Sequence, residues 1–190
     1  MNIVAEDIGK KFGKNWIFRH LNFEIKGGTK TAITGKNGSG KSTLLQIISG
    51  YLTPSHGTLT HGSKPLEETR ITLVGPYTEL IEEFTLKELL AFHARFRKAE
   101  ITFAEMADRA SLPMNKPISD FSTGMKQRVK LITSFFYKND LILFDEPTSN
   151  LDEEGFEWWL NEMHLKTDET IFIASNQQSE IEICPDSISL

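Results

Sequence analysis

The stretch Gly35 to Thr43 reads Gly-Lys-Asn-Gly-Ser-Gly-Lys-Ser-Thr, and nothing else in the chain restricts its fold as tightly. The spacing G-x-x-x-x-G-K-[ST] is met by Gly35, Gly40, Lys41 and Ser42, with Lys36, Asn37, Gly38 and Ser39 between the glycines. Glycine lets successive backbone N–H groups turn toward one point and form a concave anion nest, which side chains would obstruct. Lys41 adds a mobile ammonium for β- and γ-phosphates, and the Ser42 hydroxyl suits Mg²⁺. Such a loop works only between a buried strand and a helix whose N-terminus faces the phosphates. Both flanks comply: Thr31-Ala32-Ile33-Thr34 is a short buried-strand pattern, and Leu44-Leu45-Gln46-Ile47-Ile48 continues as an apolar helix. The chain therefore binds a nucleotide on an α/β framework.

Length and composition narrow the rest. At 190 residues, with 39% hydrophobic and 25% charged residues, the chain suits one soluble domain with an insertion. No apolar run approaches the ~18 residues needed to cross a bilayer, and the N-terminus has no signal-peptide character. A net charge of −5 argues against bulk nucleic-acid binding. The lone cysteine, Cys184, excludes an internal disulfide and suits a reducing cytosol. It reads better as a small buried apolar residue than as a reactive thiol. Any membrane role must come through a partner.

Along the chain, Ile3 to Glu6 and Asn22 to Ile25 predict two strands, separated from the phosphate-loop strand by the turn Lys26-Gly27-Gly28. A short strand follows at Thr58 to Thr60 and another at Ile71 to Val74. From about 79 to 137 the period becomes helical, with Leu86, Leu89, Leu90, His93 and Phe96 on one stripe and Phe103, Met106 and Ala110 on a second. Leu141 to Asp145 is an apolar strand ending in acid, Glu153 to Lys166 a helix, and Thr170 to Ser175 one more buried strand. Ile188 to Leu190 reads as the start of a final strand. Strands alternating with helices imply a parallel sheet covered on both faces.

The acids at the end of the apolar strand complete a site. Beside a phosphate loop, Asp145 is placed to hold Mg²⁺, and Glu146 to act as general base toward a water at the γ-phosphate. Apolar strands ending in two acids also start ordinary loops, and it is the phosphate loop that favours the catalytic reading.

Two further segments carry a resemblance. Phe121-Ser122-Thr123-Gly124-Met125-Lys126-Gln127-Arg128 is similar to the signature motif of ATP-binding-cassette (ABC) ATPases, with Thr123 where many members have a first glycine. Asp145-Glu146-Pro147-Thr148-Ser149-Asn150-Leu151-Asp152 resembles the Walker B strand and D-loop of the same family. The order and spacing match over nearly the whole chain. The resemblance implies a P-loop NTPase with a parallel core sheet, a small antiparallel β subdomain and an inserted α-helical subdomain at about 79–137, all within one domain over 1–190. It implies ATP and Mg²⁺ as ligands, with Ser42 and Asp145 as metal ligands. From the residues alone, Ser122 reads as the N-cap of a helix beginning near Lys126, with Thr123 and Gly124 exposing backbone N–H groups as a second anion site. The family's head-to-tail dimer explains it: Ser122, Thr123, Gly124 and Met125 of one subunit cover ATP held by the other, which is a second copy or a homologous cassette. Phe12 stands where the family stacks an aromatic on adenine; a core phenylalanine is the rival reading, and Trp16 the other candidate.

Two positions depart from the family. Where a glutamine usually follows the strand at Ile71 to Val74, this chain has Gly75-Pro76-Tyr77-Thr78-Glu79, with Pro76 or Tyr77 at the aligned place. Where a switch histidine usually follows the last buried strand, it has Ser175-Asn176-Gln177, and none of His20, His56, His61, His93 and His164 falls there. Asn176 can donate a hydrogen bond to phosphate but cannot carry a histidine's positive charge. The expectation is a slow but competent ATPase, the cytoplasmic subunit of a transporter held at the inner membrane face by a separate transmembrane permease. The alternatives are a soluble ABC ATPase acting on ribosomes or DNA, and a degenerate cassette that binds ATP as a regulator. No nucleic-acid partner is expected.

Overall fold

The computed structural model describes residues 1–62 and 65–190. They form two compact units: Met1–Leu73 with Asn139–Glu146 and Thr167–Leu190, and Val74–Lys138 with Pro147–Lys166.

The first unit contains two sheets. Strands β1 (Ile3–Phe12), β2 (Asn15–Ile25) and β4 (His56–Thr60) pair antiparallel in the order β2-β1-β4. The β1–β2 hairpin is much longer than the alternation in the sequence predicts. Asp7 and His20 adopt left-handed backbone, with φ of 50° and 57°, and the register shifts between Ala5 and Ile8. Such bulges break the two-residue period, so the pattern was readable only up to Glu6 and from Asn22.

Strands β3 (Lys30–Thr34), β5 (Ile71–Val74), β6 (Leu141–Asp145), β7 (Thr170–Ala174) and β8 (Asp186–Ser189) form the second sheet in the order β5-β6-β7-β3-β8. The pairings β6–β7, β7–β3 and β3–β8 are parallel. Every residue of β6 and β7 is buried, which is why their sequences are continuous apolar runs rather than alternations. Helix α1 (Lys41–Ile48) buries Leu44, Leu45 and Ile48 in one core with Ile3, Ile8, Ile33, Leu143 and Phe172. With β7 lying between β6 and β3, the carboxyl ends of three strands stand side by side. Asp145 ends β6, and the loops leaving the three strands carry the phosphate-loop glycines, Glu146 and Asn176, as expected of a ligand site in a parallel sheet. A short helix α6 (Gln178–Ile181) follows β7.

The second unit is helical: α2 (Leu86–His93), α3 (Phe103–Arg109), α4 (Thr123–Phe135) and α5 (Glu153–Leu165). It takes in α5 as well as the helices expected between 79 and 137. Capping boxes start α2 (Thr85 with Glu88) and α3 (Thr102 with Glu105), satisfying backbone donors that a helix start leaves open. Leu86, Leu89 and Leu90 are buried as the stripe predicts, whereas Phe96 lies beyond the end of α2 and is 73% exposed. The Tyr137 hydroxyl donates to the Leu90 carbonyl at 2.7 Å. Arg109 grips Glu162 through Nε at 2.9 Å and Nη2 at 2.6 Å and lies over the Phe136 ring.

Glu162 is nearly inaccessible, and burial raises its carboxyl pKa against the opposing pull of Arg109. Arg109→Met removes the main group that favours that charge, leaving Lys166 and Trp158, so we expect a loss of about 3 kcal/mol at pH 7. A carboxyl whose folded pKa is raised contributes stability at low pH that is lost as pH rises. The deficit therefore shrinks toward pH 5, and urea unfolding of both proteins at the two pH values measures it.

Candidate nucleotide-binding site

The phosphate loop is shaped by what its glycines permit. Gly40 (φ 104°) precedes α1, and a Cβ there would lie 2.4 Å from Ile17 Cγ2 and 3.0 Å from the Phe18 ring. Gly35 (φ 145°) is equally confined, since a Cβ would meet Ser39 Oγ at 2.6 Å and the Leu190 carbonyl at 2.7 Å. The Ser39 N–H donates to the Lys36 carbonyl at 3.0 Å and closes the turn. No side chain caps α1 and no acid occupies its first turn, so the orphan N–H groups and positive helix end are left for an anion. Ser39 Oγ is buried without a partner, which further marks the loop as built around something absent from the protein itself.

Lys41 is 7% exposed, and its ammonium donates to the Gly35 carbonyl at 2.9 Å, the Lys36 carbonyl at 3.5 Å and Asn176 Oδ1 at 3.2 Å. Asn176 Nδ2 donates to Asn37 Oδ1 at 2.5 Å. The loop following β7 thus reaches the phosphate loop, as does the end of β6, where Asp145 is hydrogen-bonded to Ser42. Asp145 is 7% exposed, and burial pushes its carboxyl pKa up. The Ser42 hydrogen bond and the Lys41 charge oppose that rise, whereas the Glu146 charge adds to it.

A buried carboxylate lacking a full counter-charge, bonded to a hydroxyl, is a donor set that suits Mg²⁺. This ion binds through one or two protein oxygens and completes its shell with phosphates and water. Among the described residues no group of three or more His, Cys, Asp or Glu side chains could hold a metal alone. Glu146 is exposed, in left-handed backbone (φ 50°), with its N–H donating to the Ala174 carbonyl at 2.9 Å. Thr43 continues α1, half-buried, and Gly38 (φ 82°) has open space where a Cβ would stand.

The hairpin separates the two aromatic candidates. Lys10 pairs with Phe18 across the strands and lies 5.2 Å from the Phe12 ring centroid. Phe12, 51% exposed and not a core residue, therefore shares a face with Phe18, whose ring borders Gly40. Trp16 pairs with Lys11 on the other face, where its indole lies over Gly9.

The signature residues belong to the second unit. Ser122 is the N-cap of α4, its hydroxyl accepting from the Met125 N–H at 3.2 Å. The helix starts at Thr123, earlier than the expected Lys126, because the cap bonds three residues onward and Thr123 and Gly124 are already helical. Ser122 and Thr123 are exposed, whereas Gly124 and Met125 are half-buried. A Cβ on Gly124 would stand 3.0 Å from the Asn150 carbonyl, so glycine lets the D-loop approach α4. Like α1, α4 has no acid in its first turn, whereas α2, α3, α5 and α6 all do.

Sequence reasoning missed Gln127, which is buried and donates from Nε2 to the Pro147 carbonyl at 2.7 Å. Its signal was a polar residue four positions before the buried Leu131 of α4. Of the residues that stand for the family's glutamine, Tyr77 is 77% exposed. Pro76, Thr78 and Glu79 line a cleft of about 480 Å³ with Thr123, Lys126 and Lys130.

Comparison with known proteins gives a family-model match, "ABC transporter", over residues 18–149. The chain is 30% identical to the sulfate/thiosulfate import ATP-binding protein CysA of Mesostigma viride over 99% of its own length, spanning 59% of that relative. It is 33% identical to the cytochrome c biogenesis ATP-binding export protein CcmA of Brucella abortus, covering 93% of this chain and 86% of that one. A solved ATP-binding cassette, dimeric in a post-hydrolysis state with ADP and Pi, superposes with a TM-score of 0.83 at 22% identity, covering 99% of this chain and 94% of the other.

Asp145→Asn removes the buried charge while keeping a partner for Ser42. It should stabilise the nucleotide-free protein by about 1 kcal/mol at pH 7 and abolish the extra thermal stabilisation that Mg²⁺ adds to ATP. The stability gap closes as pH falls and the wild-type carboxyl takes up its proton. Thermal melts with and without Mg²⁺–ATP, repeated across pH, test both parts.

Proposed function

The chain belongs to the ABC transporter family, and from that premise we propose that it is the ATP-binding and ATP-hydrolysing subunit of a transporter whose permease is a separate membrane protein. The observation that carries this reading is the uncapped start of α1 with its orphaned Ser39 hydroxyl, gathered with Lys41, Asp145 and Asn176. In this reading the backbone of Gly35 to Thr43 and the Lys41 ammonium hold the phosphates, and Phe12 stacks on adenine. Ser42 and Asp145 would hold Mg²⁺, which would supply neutralisation of the phosphate charge.

Glu146 then accepts a proton from a water that attacks the γ-phosphorus. The bond to the β–γ bridging oxygen breaks, and ADP and inorganic phosphate are formed. Asn176 offers the departing phosphate a neutral hydrogen bond instead of a charge-assisted one. That difference is worth about 1–2 kcal/mol, so turnover is slowed roughly tenfold without being abolished.

The second acid-free helix start, at α4, supports a head-to-tail dimer. There Ser122, Thr123, Gly124 and Met125 meet the ATP of a second copy or a homologous cassette. The dimeric cassette with ADP and Pi is a precedent among similar folds. No helix among the described residues is long and apolar enough to cross a membrane. The permease supplies the anchorage at the cytoplasmic face, and the exposed side chains of Tyr77, Ile81, Phe92 and Phe96 in the second unit give it an apolar surface.

Glu146→Gln should lower the hydrolysis rate at least about a hundredfold while ATP still binds and drives dimerisation, followed by light scattering. An unchanged rate would remove Glu146 from the reaction. Asn176→His restores the missing charge and is expected to raise kcat roughly tenfold.

A further inference from the structure

The side chain of Asn176 does something in this structure that a phosphate contact does not require: it ties together two arms of the phosphate loop. An ammonium has three donors and no acceptor, so the amide atom that faces Lys41 Nζ at 3.2 Å is the oxygen. The amide NH₂ then faces Asn37 Oδ1, to which it donates at 2.5 Å. One carboxamide thus accepts from Lys41 at the entrance of α1 and donates to Asn37 at the crown of the loop. Its backbone is held by the Gln177 N–H, which donates to the buried Ser175 hydroxyl at 2.9 Å. The Gly35 and Lys36 carbonyls take the rest of the ammonium's capacity. An imidazolium could not make this bridge, because it has no acceptor to offer Lys41.

We propose that Asn176 is a latch on the phosphate loop, one that any nucleotide with a β-phosphate must open. This rests on reading Gly35 to Thr43 as the ATP site, and it adds a competitor to that site. While Lys41 is bonded to Asn176, one ammonium donor is spent on the amide oxygen and the amide NH₂ is spent on Asn37, so neither is offered to a phosphate. Entry of the phosphates withdraws the ammonium from the amide oxygen, and the carboxamide rotates to present its NH₂. The latch weakens the binding of ADP as well as ATP, whereas a contact to the γ-phosphate acts on ATP alone.

The test is titration calorimetry of the full chain with Mg²⁺–ADP and Mg²⁺–ATP, comparing wild type, Asn176→Ala and Asn37→Ala. Asn176 is exposed, so its truncation leaves the core untouched, and a thermal melt of each variant verifies folding. The latch predicts that Asn176→Ala tightens ADP about threefold to tenfold, the equivalent of the hydrogen bonds released. Asn37→Ala, which cuts the other end, shifts ADP in the same direction. ADP binding that is unchanged or weaker in Asn176→Ala overturns the latch, and if ATP alone is affected the side chain acts only on the γ-phosphate. Absence of binding to wild type and both variants overturns the nucleotide site itself, an outcome distinct from failure of the latch. Binding that emerges only in the variants supports it.

Discussion

A helix that starts without a capping side chain leaves backbone donors and a partial positive charge unanswered, and the first unit is organised around the place where α1 does this. Burial of Leu44, Leu45 and Ile48 fixes the helix in the core, so its start cannot fray into solvent to satisfy itself. Strand order supplies the rest, because β6 and β7 end next to the loop leaving β3 and deliver Asp145 and Asn176 to it. The same neighbours create tension. Asp145 is kept charged-capable in a buried setting with only partial compensation from Ser42 and Lys41. Sites of this kind exchange some stability of the empty protein for affinity toward the ligand that completes them.

The second unit answers its helix starts differently. Thr85 with Glu88, Thr102 with Glu105, and Asp152 with the Gly155 N–H close off α2, α3 and α5. Only α4 combines a serine cap with an acid-free first turn. Charge is also managed inside this unit, where Arg109 compensates Glu162 and Lys166 reaches Glu100 at 3.0 Å. The Arg109–Glu162 pair joins α3 to α5, whereas the start of α4 remains the electrostatically open end.

Much of this was legible in the residues, and the exceptions have physical causes. The phosphate loop could be read because its glycines answer a local backbone demand, and β6 and β7 because a strand buried on both faces is apolar throughout. The hairpin was half-read because Asp7 and His20 interrupt its alternation with left-handed backbone. The start of α4 was read three residues late, since Thr123 and Gly124 are weak helix formers held in place by the Ser122 cap. Asn176 could be placed near phosphate by its position after a strand. Its bonds to Lys41 and Asn37 could not, because they depend on the rotamers of side chains that lie 135 and 139 residues away in sequence. Gln127 escaped for the same reason: its partner is a backbone carbonyl, and a carbonyl has no letter in the sequence.

The bare α-carbon of Gly40 has one more consequence. Ile17 and Phe18 rest where its side chain would be, so the foot of α1 and the hairpin that carries Phe12 share a single seam with no slack between them. The part of the site suited to phosphates and the part suited to a base are therefore mechanically one piece. In the proposed reading, a change that widens this seam alters the grip on both ends of the nucleotide at once.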